Sequence, residues 1–145
     1  MADQSEKLVS AARGWIGTPY VHQASCKGAG ADCLGLVRGV WREVIGPEPF
    51  DLPAYTPDWS EASGRESLFA GASALMRPVD EAQPGDVLLF RMRAGAIAKH
   101  LGILSRAGAR PAFIHAYSGH GVVESPLTAP WARRIAARFR FPQRG

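Results

Sequence analysis

A glycine-rich run, Gly28-Ala29-Gly30-Ala31, ends at Asp32-Cys33, and from there apolar residues recur at helical spacing. Leu34, Val37 and Trp41 form the stripe, and Val40, Val44 and Ile45 widen it. This pattern places a thiol at or just inside a helix N-terminus, on a loop whose glycines let the backbone approach closely. The unpaired N–H groups of a first helical turn and the positive end of its dipole favour an anion, so the expectation is a stabilised Cys33 thiolate. Cys33 is therefore a candidate nucleophile, and the rest of the chain has to supply a base. The only other cysteine is Cys26. Two cysteines are too few for a disulfide framework, and a single bridge would cap the nucleophile, so two free thiols are expected. The spacing of His22, Cys26 and Cys33 is poor for a metal site, so no metal is expected.

Around this stretch the chain reads as helices first and strands afterwards. Leu8, Ala11, Ala12 and Trp15 predict an amphipathic helix over residues 5–16, stopped by Gly17-Thr18-Pro19. Tyr20 and His22 follow in an extended segment, and a polar loop leads to the Cys33 helix, which runs to Ile45 and stops at Gly46-Pro47. Residues 47–59 hold four prolines among Phe50, Leu52, Tyr55 and Trp59 and read as a structured loop draped over the surface. Ser63-Gly64-Arg65-Glu66 has the form of a capping box for a helix reaching Leu75. From Pro84 the pattern changes to short apolar runs at 87–90, 100–104, 111–116 and 122–124. A period-two tail at 135–141 reads as a half-buried edge strand with its arginines outward. The class is α+β, with N-terminal helices packed on a C-terminal antiparallel sheet in one domain spanning 1–145.

Composition excludes some roles. No apolar run approaches the roughly 20 residues of a membrane helix, so no membrane insertion is expected. The N-terminus is polar and lacks the pattern of a Sec signal, so synthesis in the cytoplasm is expected. The net charge is +4, and Arg133, Arg134, Arg138, Arg140 and Arg144 cluster near the C-terminus. Without interleaved aromatics, that cluster reads as a solvated strand face and not as a nucleic-acid site.

The histidines are His22, His100, His115 and His120. His100 begins one predicted strand and His115 lies towards the end of the next. If these strands are antiparallel neighbours, the two imidazoles fall near one sheet end, where they can touch across the pair. Cys33, His100 and His115 then have the makings of a nucleophile, a base and an orienting group. A strand histidine is more often a surface or core residue than a base, and patterning alone leaves both readings open. His120, between two glycines, reads as a turn residue, and Trp41 as core.

Five blocks occur in order: Gly17-Thr18-Pro19-Tyr20; Gly30-Ala31-Asp32-Cys33-Leu34-Gly35-Leu36-Val37; Pro84-Gly85-Asp86-Val87-Leu88-Leu89-Phe90; His100-Leu101-Gly102-Ile103; and Ile114-His115-Ala116. Together they resemble the successive motifs of the NlpC/P60 cysteine peptidases. The stretches 20–28 and 36–43 resemble the short members encoded with tail genes of phages and gene transfer agents. The resemblance implies a papain-like fold and hydrolysis of a peptidoglycan stem-peptide amide, commonly that between D-glutamate and diaminopimelate, with no cofactor. It implies Cys33 as nucleophile, His100 as general base and His115 as its orienting partner. Tyr20 matches a tyrosine that helps shape the oxyanion region, and Asp32 an acidic residue with a role in local structure or substrate binding. Leu34 stands where many members carry serine, which marks it for substrate preference. Tyr20, Asp32, Leu34 and His22 are the residues expected around the oxyanion and substrate. The resemblance further implies tail-tip proteins as partners and action at the cell wall or periplasm of a target cell, on a virion-like particle. The alternatives are a silent tail-tip assembly subunit, and an amidase or acyltransferase using the same triad.

Overall fold

The computed structural model describes residues 3–48, 72–91 and 100–143. The aromatic loop from 49 onward and the capping box at 63–66 lie outside the described residues, and of the helix predicted there only 72–75 is seen. Helix α1 spans Gln4–Gly14. Its N-cap Asp3 accepts the Glu6 N–H, and Leu8, Val9 and Ala12 are buried. A small antiparallel hairpin, β1 (Ser25–Cys26) and β2 (Gly30–Ala31), precedes α2 (Cys33–Val40). The helical path then widens into a π-helical turn, Trp41–Ile45, and ends at Gly46, whose φ is +146°. The polar loop expected before Cys33 is thus a tight hairpin. Strands of two residues are too short to carry any hydrophobic period. His22 lies in the turn before it and not in an extended segment.

The remaining strands are β3 (Arg77–Pro78), β4 (Val87–Phe90), β5 (His100–Arg106), β6 (Ala112–Tyr117), β7 (Gly121–Pro126) and β8 (Ile135–Arg140), with a short helix α3 (Ala129–Ala132) before the last. They form one antiparallel sheet in the order β3-β8-β4-β5-β6-β7. No helix among the described residues is long and apolar enough to cross a membrane.

Both faces of the sheet are covered. Leu8, Ala12, Trp15, Leu36, Val37 and Val40 from the helices pack on Val87, Leu89, Leu101, Ile103, Ile114 and Ala116. On the opposite face Leu88, Phe90, Leu104 and Phe113 pack with Leu127, Trp131 and Ile135. A strand buried on both sides needs apolar residues at every position, which is why 87–90 reads as a continuous run. Two glycines allow the helix to sit this close. A Cβ at Gly35 would run into the Ala24 carbonyl, and one at Gly39 into the Trp15 ring.

The period-two tail, expected at an edge, lies inside the sheet between β3 and β4. Arg140, partly exposed, is not free in solvent but paired. It donates two hydrogen bonds of 2.9 Å to the carboxylate of Asp86, which is buried and also accepts the Gln83 N–H at 2.8 Å. Removing one partner of such a pair strands a buried charge. In urea denaturation, Arg140→Ala should lose about 3 kcal/mol, whereas Arg133→Ala, at an exposed position, should stay within about 0.5 kcal/mol of the parent. Equal losses would contradict the assignment.

Candidate active site

Cys33 is the first residue of α2, and Asp32 is its N-cap. The two carboxylate oxygens of Asp32 serve different segments. Oδ1 accepts the Gly35 N–H at 2.7 Å, which caps the helix, and Oδ2 accepts the Gln23 N–H at 2.8 Å, which ties down the preceding loop. That loop is held further by Ala31 N–H to Pro19 O at 3.0 Å and by a parallel bridge between Tyr20 and Ala31. Gln23 has a φ of +66°, a left-handed conformation uncommon for a residue with a side chain. The Ser25 hydroxyl donates to the Gly35 carbonyl at 2.6 Å.

Cys33 is half-buried at the start of α2 and packs against the helix-side core, and nearby backbone N–H groups, that of Leu101 among them, act to lower its thiol. Leu101 follows His100 in β5, and α2 packs against that strand. His100 Nε2 is 2.9 Å from His115 Nδ1, and His115 Nε2 is 3.0 Å from the Ser125 hydroxyl. The register explains this. Ile103 pairs with Ile114 and Phe113 with Ser125, so His100, His115 and Ser125 project from one face of three adjacent strands, diagonally offset. Both imidazoles are buried, His115 with only 1% exposed. The Trp131 ring on α3 covers them, with centroids 5.7 Å from His100 and 5.2 Å from His115. Phe90 and Tyr117 complete the wall around His100.

This enclosure governs charge. Burial and the Asp32 carboxylate push the Cys33 thiol up to about 12, against the smaller opposing effect of the backbone N–H groups. The expectation of a dipole-stabilised thiolate is therefore corrected. The N–H groups do act on the sulfur, but desolvation and a neighbouring negative charge outweigh them. Burial pushes His100 down to about 3, aided by His115, and His115 down to about 4, aided by His120. Each shift favours the uncharged form, a thiol at Cys33 and neutral imidazoles at His100 and His115.

The other expected residues fall as follows. Tyr20 is half-buried, and its phenol is pushed up by burial and by Cys33 and Asp32, which puts it in their electrostatic range. His22 Nδ1 is 3.7 Å from Asp32 Oδ2. Leu34 is half-buried and packs against the helix-side core. His120 is exposed and stacks on Tyr117 with centroids 5.2 Å apart. Cys26 and Cys33 are both free. Among the described residues no group of three or more His, Cys, Asp or Glu side chains is placed to hold a metal ion. Sequence reasoning missed Ser125 and Trp131. The Phe113–Ser125 register would have exposed the first, but the predicted strand stopped at residue 124.

The helix-start cysteine and the histidine pair on an antiparallel sheet are features of one family, and the chain belongs to it: residues 17–140 match the model of the NlpC/P60 family, whose members are in general hydrolases of the peptidase type. A curated relative is the gamma-DL-glutamyl hydrolase of Bacillus subtilis, 29% identical over 135 residues that cover 92% of this chain and 29% of that protein. Two solved structures share the fold. An NLP/P60 family protein from Staphylococcus aureus, similar to lipoprotein, has a TM-score of 0.60 at 22% identity, covering 97% of this chain and 42% of its own. An NlpC/P60 family protein from Bacillus cereus has a TM-score of 0.65 at 20% identity, covering 94% of this chain and 40% of its own. The chain spans less than half the length of each of these proteins.

The depressed imidazoles have a thermodynamic consequence. An unfolded chain protonates its histidines near 6.5, whereas the folded chain resists protonation of His100 and His115 until about 3 and about 4. Between these limits the unfolded state binds more protons, so stability is complete above 6.5 and falls as the pH falls. The melting temperature should drop by on the order of 10 °C between about pH 7 and pH 4.5, and His115→Gln should flatten that drop. Parallel profiles for the two proteins would contradict the buried neutral pair.

Proposed function

We propose that this protein is a peptidoglycan endopeptidase that cleaves a stem-peptide amide, most simply the D-glutamyl–diaminopimelate bond, through Cys33, His100 and His115. The observation that supports this reading is the buried His100–His115 pair on β5 and β6, together with Cys33 at the start of the helix that packs against β5. The gamma-DL-glutamyl hydrolase named above supports a glutamyl amide as the bond, and the family supports the wall as the substrate.

In this mechanism His100 takes the Cys33 proton as the sulfur attacks the carbonyl carbon. Charging either group alone is opposed by burial, but transferring one proton between them creates both charges together, where each stabilises the other. The Cys33 N–H, at the helix start, and the Tyr20 hydroxyl are assigned to the oxyanion. The protonated His100 then gives its proton to the leaving amine, leaving a thioester on Cys33. Water, deprotonated by His100, hydrolyses the thioester and regenerates the thiol. His115 holds the His100 ring and spreads its transient charge.

The resemblance of stretches 20–28 and 36–43 to tail-encoded members supports the finer reading of a protein delivered to the wall of a target cell on a phage-like or gene-transfer-agent particle, with tail-tip proteins as its partners. A second reading is a silent assembly subunit that keeps the fold, which suits the burial that pushes the Cys33 thiol up. An amidase or acyltransferase with the same triad differs only in its products.

Digestion of purified peptidoglycan followed by mass spectrometry decides among these. Wild-type protein should release fragments with a new diaminopimelate amino group, and Cys33→Ala should lower the rate by roughly 1,000-fold or more. No release by wild type, or equal release by the variant, would overturn the proposal.

A further inference from the structure

We infer that Ser125 is a positioning residue, whose hydroxyl oxygen fixes the tautomer of His115 and through it that of His100; this rests on the proposed thiol mechanism. The argument follows one chain of hydrogen bonds. His100 meets His115 through Nε2, so its other ring nitrogen, Nδ1, is the one left to receive a proton from the thiol. To receive it, Nδ1 must carry a lone pair, which puts the His100 hydrogen on Nε2. That hydrogen is donated to His115 Nδ1, so the His115 hydrogen must in turn lie on Nε2 and be donated to Ser125 Oγ, 3.0 Å away.

The opposite arrangement has the same heavy-atom positions and no use as a base. If the Ser125 hydroxyl donates to His115 Nε2, then His115 donates from Nδ1 to His100 Nε2, and the His100 hydrogen is forced onto Nδ1, the nitrogen that the proposed mechanism needs as the acceptor. The first arrangement depends on Ser125 as an acceptor for a buried N–H. His115 is 1% exposed, and a buried N–H without an acceptor is costly, so Ser125 Oγ is needed to accept it. Ser125 itself is partly exposed, so its own hydrogen can turn to water. When His100 is protonated during turnover, the same Nε2–H to Oγ bond extends the stabilisation of positive charge by one further dipole.

The tautomers are read directly, without substrate, by long-range proton–nitrogen NMR correlation of the imidazole rings in the full chain near neutral pH. The wild type should show His100 and His115 both protonated on Nε2. In Ser125→Ala, His115 should become a mixture of tautomers. On peptidoglycan the same variant should lose about tenfold in kcat while KM stays within about twofold, and Ser125→Thr, which keeps the hydroxyl, should recover most of the loss. A wild-type spectrum with His115 protonated on Nδ1 overturns the inference. So does a Ser125→Ala protein with unchanged tautomers and kcat. If wild type shows the expected tautomers but releases no peptidoglycan fragments, the proposed substrate fails while the role of Ser125 in tautomer selection stands.

Discussion

The carboxylate of Asp32 is the constraint on which the site depends. One oxygen closes the first turn of α2, and the other holds the backbone of Gln23. The residue therefore fixes both the direction of the helix that carries Cys33 and the loop that carries Tyr20 and His22. Gly35 is part of the same joint, because only a residue without a side chain leaves room for the Ala24 carbonyl. The joint has a chemical cost. The negative charge that caps the helix also lies against the sulfur and opposes its ionisation. A capping residue without charge would raise the thiol less, but an ionised acceptor holds its N–H partners more strongly.

The second determinant is enclosure. The sheet is covered by helices on one face and by an aromatic layer on the other, and the histidines belong to the second layer. Trp131, Phe90 and Tyr117 exclude water from His100 and His115, and this exclusion keeps both imidazoles neutral. In the proposed reaction, charge arises on sulfur and imidazole in the same step, so the dry surroundings penalise an isolated ion and strengthen the attraction within the pair. Enclosure of this kind favours the protonated thiol, the form of cysteine least prone to oxidation.

Much of the fold is legible in the sequence because its signals are local. The helical stripe after Cys33, the stop at Gly46 and the short apolar runs each announce an element. The short connection between β5 and β6 makes them neighbours and brings His100 towards His115. What the sequence hides is set by partners far away in the chain. The arginines at 138 and 140 look like an outward edge, but Arg140 has its partner in Asp86 and β8 is flanked on both sides. A bulge opposite Leu89 and Phe90 breaks the simple alternation of that strand. The charge state of Cys33 is hidden for the same reason. The helix dipole can be read from a dozen residues, whereas packing against the helix-side core arises only in the assembled fold. Ser125 escapes notice because its relation to His115 is a matter of register.

The central claim is that Cys33 rests as a neutral thiol and is deprotonated only by transfer to His100 during reaction. Ultraviolet thiolate absorbance, measured as the difference between Cys26→Ser and Cys26→Ser/Cys33→Ala proteins across pH, tests it most directly. With the Cys33 thiol pushed up to about 12, no thiolate signal from this residue should develop below about pH 9, above the usual cysteine value. A thiolate signal already at its plateau near about pH 5, as a preformed thiolate–imidazolium pair would give, would contradict the account.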